Sequence, residues 1–342
     1  MTTPTIVSGL AHSGGLHCET TTLGVLLPAV GIDLSEPLLF GLGGGLSFIW
    51  WDSRRQELPF LGGRVKPFVL TRNLAARLGL DLRVQQTTSA TKAWENVRDH
   101  LDRGRPVGLQ LDSYDLDYFT SRVHFAGHIV ALYGYDDDTA YLVDTAQQGG
   151  GVTTSRSSLA RARAARGPMS APHRSFTIER GAFSPGPDAV ASAAWAAIAA
   201  CANEFLSPPI AHLGHRGIRT AAARVGSLLT RVSDPERGLP AIALIMEKAG
   251  TGGALFRTLY RDFLTEVEAL LPRGGTARTV ATSRDRFADA ARRWTEVASL
   301  IETAGRTGAA HHLAAASVLL EEIADIETAA MTDLRTLAAA QG

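Results

Sequence analysis

The chain has 342 residues, of which 45% are hydrophobic and 20% charged, and its 34 Lys+Arg balance its 34 Asp+Glu. That length suffices for two domains of ordinary size, and the lack of a basic excess or an acidic tail argues against nucleic acid as a partner. Two cysteines, Cys18 and Cys201, cannot build a disulfide framework. No basic segment leads into a secretory apolar run, and no uninterrupted apolar stretch reads as long enough to span a bilayer. A soluble cytoplasmic protein with no membrane partner is the expectation.

Residues 1 to about 180 mix helix and strand signals. Ser13–Gly15 reads as loop, and Leu23, Leu26, Leu27 and Val30 follow helical spacing. Cys18 therefore falls in the first turn of a helix. A helix N-terminus favours the thiolate, and a nearby imidazolium favours it further. Most free cysteines are small buried hydrophobes, but His17 and Glu19 make both flanks of Cys18 polar.

Phe40–Phe48 is glycine-rich, Val65–Leu70 looks like a strand, and Asn73–Leu80 is a short amphipathic helix. A strand over Leu82–Gln85, a helix over Ser89–Asp102 and a strand over Arg105–Asp112 follow, the last entering a loop with Tyr114, Asp117, Tyr118 and Phe119.

His128–Tyr135 is an apolar run of strand length, Asp136–Asp138 is turn chemistry, and Ala140–Asp144 is a second strand. His128 and Asp144 are equidistant from Asp136. A hairpin closing there sets them opposite one another with Cβ atoms roughly 5 Å apart. A carboxylate so placed fixes an imidazole tautomer. The pair is the base and orienter of a triad whose nucleophile is Cys18.

Ser158–Ala165 is a small basic helix and Ser175–Glu179 a last strand, so an α+β class is expected. Gly181–Pro187 is a Gly/Pro-rich linker, after which Ala, Leu, Glu and Arg dominate. Ala189–Asn203, Ile210–Leu229, Leu239–Lys248, Ala254–Leu271, Ser283–Thr303 and His312–Ala339 read as helices of a bundle. The expected domains are 1–182 and 183–342.

Other signals are discounted. Phe40–Leu46 and Gly250–Ala254 lack both the P-loop Lys and the third glycine of a dinucleotide fingerprint, so close backbone packing is the reading, with a loop bordering the active-site cleft as the functional alternative. His311–His312 has no accompanying zinc-ligand motif, and no metal is expected. Cys201 and the Trp50–Trp51 pair read as core, with a cleft wall as the alternative for the tryptophans. Arg156–Arg166 reads as a solvated basic face, with docking to an acidic partner as the sharper alternative.

The strings His17–Leu23, Leu34–Glu36, Phe40–Phe48 and Gly127–Asp137 resemble the N-terminal domain of the butirosin biosynthesis protein H family, and Gly250–Tyr260 resembles the helical domain that often follows it. The resemblance implies a papain-like, cysteine-peptidase-type N-terminal domain with an all-helical C-terminal domain. It implies an acyltransferase that takes an acyl or aminoacyl group from an acyl carrier protein thioester to a small-molecule amine, in natural-product biosynthesis. No cofactor is bound, and phosphopantetheine is expected on the donor.

Carried over by position, Cys18 is the nucleophile, His128 the base and Asp144 the orienter. Papain-like enzymes usually place an oxyanion-stabilising Gln about six residues before the nucleophile. Here His12 stands there, so either His12 or the Cys18 backbone N–H serves. His17, and after the strand before the hairpin Asp112, Tyr114, Asp117 and Tyr118, are candidate substrate-binding residues, with loop solvation as the alternative for the acids. A cysteine peptidase or amidase using the same triad, and a catalytically silent binding protein, are the competing readings. A twofold dimer through the helical domain is the expected assembly.

Overall fold

The structure is a computed structural model that describes residues 3–53, 56–120, 123–183, 186–248 and 253–341. In chain order its main elements are β1 (Thr5–Ile6), α1 (Cys18–Leu26), α2 (Glu36–Leu42), β2 (Leu46–Trp51), β3 (Phe60–Arg64), α3 (Val69–Arg77), β4 (Asp81–Gln85), α4 (Ala90–Leu101), β5 (Val107–Leu111), β6 (His128–Tyr135), β7 (Thr139–Val143), β8 (Gly151–Ser155), α5 (Arg156–Ala164) and β9 (Ser175–Glu179). Helices follow: α6 (Pro187–Leu206), α7 (Gly214–Val225), α8 (Leu228–Arg231), α9 (Pro235–Lys248), α10 (Ala254–Ala269), α11 (Gly275–Thr307) and α12 (Ala310–Ala339). The class is α+β with a helical C-terminal region.

Two compact units emerge, one from Met1–Leu39 with Lys66–Pro185, the other from Phe40–Val65 with Gly186–Gly342. The expected single cut at 182/183 therefore holds for the linker but misses the β2–β3 hairpin, which belongs with the helices. The reason is packing. The Phe48 ring stacks on Trp294 at 5.3 Å, both side chains fully buried, and Ile49 bridges Leu213. Burying each such side chain contributes about 1.5–3 kcal/mol. The glycines of 40–46 serve close approach, since a Cβ on Gly41 would lie 2.0 Å from the Phe263 ring.

In the first unit an antiparallel sheet runs β4-β9-β5-β6-β7-β8, with β1 added to β6. β5 is buried throughout and β6 almost so, as expected of central strands covered on both faces. Ser89 and Ser155 cap α4 and α5, each accepting the N–H three residues on. The expected strand at Val65–Leu70 is instead a turn running into α3. Pro67 cannot donate to a ladder, and Phe68 takes a left-handed φ of 70°.

In the second unit α11 and α12 form the long central pair, flanked by α9, α10, α6 and α7. Arg257 and Glu327, both fully buried, form a two-pronged ion pair at 2.8 and 2.9 Å, and Trp294 Nε1 donates to the same carboxylate. Cys201 is buried, its thiol donating to the Leu46 carbonyl. One correction concerns α6, which is long and apolar enough by length and composition to cross a membrane. In this unit its Val190, Ala194, Ile198, Cys201 and Phe205 stripe is buried.

Candidate active site

Cys18 is the first residue of α1, and Thr21 makes the first helical hydrogen bond, back to the His17 carbonyl. The N–H of Cys18 is thus one of the donors that a helix start leaves outside its own ladder. Two carboxylates fix this end of the helix, one of them fully buried. Glu36 accepts from the N–H groups of Leu16 and His17 and from the Thr20 hydroxyl at 2.7–3.0 Å. Glu19, fully buried, accepts from Phe68 N–H, Thr71 N–H and Thr71 Oγ1 at 2.8–3.2 Å.

His128 begins β6 and is buried. Its Nε2 bonds Asp144 Oδ2 at 2.7 Å, and Cys18 lies close enough to the ring to favour its protonated form. Nε2 being committed to the carboxylate, Nδ1 is the nitrogen left for Cys18. Phe119 packs edge-on against the imidazole at 5.2 Å. The triad members are brought together as expected, but not by direct opposition.

The turn closes with Tyr135 paired to Ala140 and Gly134 to Tyr141, and a bulge at Tyr133 then shifts the register to Leu132↔Leu142 and Ala131↔Val143. Continuing that register sets Asp144 opposite Val130, two residues from His128 on the same face. Without the extra residue Asp144 would oppose Ala131 and share the other face, because side chains alternate along a strand. The bulge therefore restores the parity on which the His128–Asp144 bond depends.

Asp144 is fully buried and satisfied three times over. Oδ2 accepts from His128 and from the Tyr118 hydroxyl at 2.7 Å, and Oδ1 from the Thr145 N–H at 2.6 Å. Burial alone would raise its carboxyl, yet the charge of His128 and these hydrogen bonds hold it below the usual carboxylate value. Burial likewise opposes charging of His128. The charges of Asp144 and Cys18, with hydrogen bonds to both, outweigh it and raise the imidazole to about 10. Burial and Asp144 push the Tyr118 phenol well above its ordinary value, so it remains a donor.

The other expected site residues are placed elsewhere or used otherwise. The His12 ring is exposed and stacks on Tyr133 at 4.4 Å. His17 is a buried cap residue whose carbonyl receives Thr20 and Thr21. Asp112 organises its loop, accepting from Tyr114 N–H and Phe125 N–H and meeting His124 Nδ1 at 3.0 Å, while the Tyr114 ring stacks on His124. Asp117 binds Thr154 and Ser155. Both carboxylates are thus engaged by groups of the first unit itself.

Tyr118 does belong to the site, as support for Asp144. The residues missed in the sequence are Glu19 and Glu36, whose only signal was an acidic side chain flanking a polar helix start. Of Gly250–Ala254, residues 250–252 lie outside the described residues. Among the described residues no group of three His, Cys, Asp or Glu is placed to hold a metal.

Residues 17–145 match the family model described as Butirosin biosynthesis protein H, N-terminal. Residues 157–334, just over half of the chain, match the model described as Domain of unknown function (DUF4872). The chain belongs to this DUF4872 family. Ahead of that region it carries a butirosin H-type N-terminal domain, and the second match begins within the first unit, at α5, so that the family region spans β9 as well as the helices. Among solved structures it is similar to a Bacillus anthracis protein described as C39-like peptidase, at 18% identity over 52% of this chain and 98% of the other, with a TM-score of 0.36. No curated protein matches the chain in sequence. Cys18 beside His128, with Asp144 behind the ring, is the arrangement of a cysteine-dependent enzyme.

Proposed function

We propose that the protein is an acyltransferase that moves an acyl or aminoacyl group from a pantetheine thioester, through an acyl-Cys18 intermediate, to an amine. The observation that carries the reading is the contact of the Cys18 thiol with a His128 ring held by Asp144, in a chain with a butirosin H-type domain. The donor is an acyl carrier protein and the acceptor a small-molecule amine, in natural-product biosynthesis within the cytoplasm.

The raised His128 has a direct mechanistic meaning. In the resting enzyme the ring is imidazolium, and the attacking form of Cys18 is its thiolate. The thiolate attacks the thioester carbonyl, and the oxyanion that forms lies at the start of α1, where the Cys18 N–H and the helix dipole favour negative charge. The donor C–S bond breaks, and the departing thiolate takes the proton from His128.

Acylation then removes the Cys18 charge and hydrogen bond that had raised the ring, leaving Asp144 alone to do so. His128 thereby becomes a base. It accepts a proton from the attacking amine as the amide forms, and Cys18 leaves as thiolate, restoring the ion pair. One thioester replaces another in the first half, so the first step is nearly isoenergetic, and exclusion of water decides transfer over hydrolysis.

The test is intact-protein mass after mixing with S-acetyl-pantetheine, with Cys18→Ala alongside. An adduct on the wild type alone, discharged by added amine faster than by water, is the expected result. Equal discharge by water would make the protein a hydrolase, and absence of any adduct would remove the enzymatic reading.

A further inference from the structure

Two guanidinium groups of the first unit lie against one aromatic ring. Arg72 is 5.7 Å and Arg174 4.9 Å from the centroid of Phe68. Arg174 donates to Gln110 Oε1 at 2.8 Å and Gln86 Oε1 at 3.3 Å, both neutral acceptors, and its Nε–H is buried and donates to no acceptor. Neither arginine has a carboxylate partner among the described residues. The chain's other large arginine contacts differ: Arg257 pairs with Glu327, Arg219 with Glu321 and Asp325, Arg293 with Asp289 and Glu322. Burial, and then the charge of Arg72, lower Arg174 from its ordinary value. The two like charges are thus close enough to repel, and an anion between them would relieve both.

The ring they share is tied to the catalytic groups on two sides. The Phe68 N–H is held by Glu19, the residue after the nucleophile. Pro67, the residue before the ring, lies where a Cβ on Gly127 would meet it at 2.6 Å, and Gly127 precedes His128. The segment that carries Phe68 and Arg72 is therefore bonded to the residue after the nucleophile and packed against the residue before His128.

We infer that Arg72 and Arg174 form an anion subsite flanking the nucleophile, which takes the phosphate of a phosphopantetheine thioester donor. The inference rests on the thioester reading above. A phosphopantetheine arm carries its only charge on the phosphate, at the end remote from sulfur. A cationic pair displaced from Cys18 is what would distinguish an arm bearing phosphate from one lacking it, and planar guanidinium forks suit phosphate oxygens.

The experiment compares Cys18 acylation by S-acetyl-4′-phosphopantetheine and by S-acetyl-pantetheine at sub-saturating concentration. Alongside, direct binding of 4′-phosphopantetheine and of inorganic phosphate is measured by titration calorimetry. The expected result is a preference for the phosphorylated thioester of about tenfold, in line with one or two charge-assisted hydrogen bonds. Arg72→Ala, an exposed position, lowers that preference several-fold, and Arg72→Ala/Arg174→Ala abolishes it, while the rate with S-acetyl-pantetheine stays unchanged in Arg72→Ala.

Equal rates with the two thioesters in the wild type, or a preference that survives both substitutions, would overturn the subsite. So would inorganic phosphate binding as tightly as phosphopantetheine, which would assign the pair to free phosphate. If neither thioester acylates Cys18, the calorimetry still decides. Arginine-dependent binding of phosphopantetheine keeps the subsite and discards acyl transfer, whereas no binding discards the subsite.

Discussion

The Gly15 carbonyl accepts a hydrogen bond of 2.8 Å from the Ala146 N–H. It stitches the loop that leads into Cys18 to the loop that leaves Asp144, two segments some 130 residues apart in sequence. Gly14, alongside, has φ +71°, and a Cβ there would lie 2.5 Å from the Asp144 carbonyl and the Ala146 nitrogen. Only glycine allows the two backbones to approach this closely. Gly14→Ala should therefore combine left-handed strain with a backbone clash and push the nucleophile loop away from Asp144. The expected result is a fall of at least about tenfold in Cys18 alkylation by iodoacetamide, since a clash of this kind costs roughly 1–3 kcal/mol.

Tyr118→Phe keeps the ring and deletes one of three donors to Asp144. Asp144 then loses an influence that holds its carboxyl low. Stability should fall by about 1–3 kcal/mol, the cost of leaving a buried charged acceptor short of one partner. The acid side of the pH profile for Cys18 acylation should move to higher pH. A profile that does not move would reduce Tyr118 to packing.

Asp144→Asn should leave thioester binding intact and cut acylation by about three to four orders of magnitude, because the amide can hold the ring in the wrong tautomer and cannot stabilise imidazolium. His128→Gln is preferable to His128→Ala for the base. The alanine would strand the fully buried Asp144 charge at a cost of about 3–5 kcal/mol, confusing unfolding with loss of chemistry. Acylation kinetics read beside a thermal melt separate the two.

The pH dependence of stability follows from the same pair. His128 is raised from 6.5 to about 10, so its contribution is complete below pH 6.5 and is lost as pH rises through about 10. Asp144 is lowered, so its contribution is complete above the ordinary carboxylate value of about 4 and is lost as pH falls through its folded value. Denaturant midpoints should be highest between about pH 4 and 6.5 with respect to this pair. Asp144→Asn should flatten the alkaline decline relative to wild type, and an unchanged decline would show that other groups cause it.

Gly41→Ala tests the second unit. The added methyl would lie 2.0 Å from the Phe263 ring, which is fully buried and has little room to yield. A loss of about 1–3 kcal/mol or more is expected by chemical denaturation, a clear outcome for a change that adds one carbon.

Much of the site was legible in the sequence, because its signals are local. Polar flanks around Cys18, helical spacing after it, and a turn between two apolar runs place a thiol at a helix start and an imidazole and carboxylate on adjoining strands. The long helices after residue 186 were equally legible, since their 3.6-residue periodicity is written into each segment. Val65–Leu70 misled because an apolar run of six residues does not say whether it is a strand or the approach to a helix, and Pro67 decided for the latter. His12 misled because a position copied from a spacing says nothing of where the loop takes it, and the loop takes it to Tyr133.

By itself, then, the sequence determined which side chains are candidates for the chemistry and which segments coil, since both follow from residue type and short-range period. The tertiary structure alone decided three things. The bulge at Tyr133 turns Asp144 onto the face of His128. Residues 40–65 leave the first unit for the second, where Phe48 is buried with Trp294. Asp112 is engaged by its own loop and Asp117 by β8, while Tyr118 supports the triad carboxylate. Each depends on register, burial or hydrogen-bond partners set by residues distant in the chain, and these quantities exist only once the backbone has closed on itself.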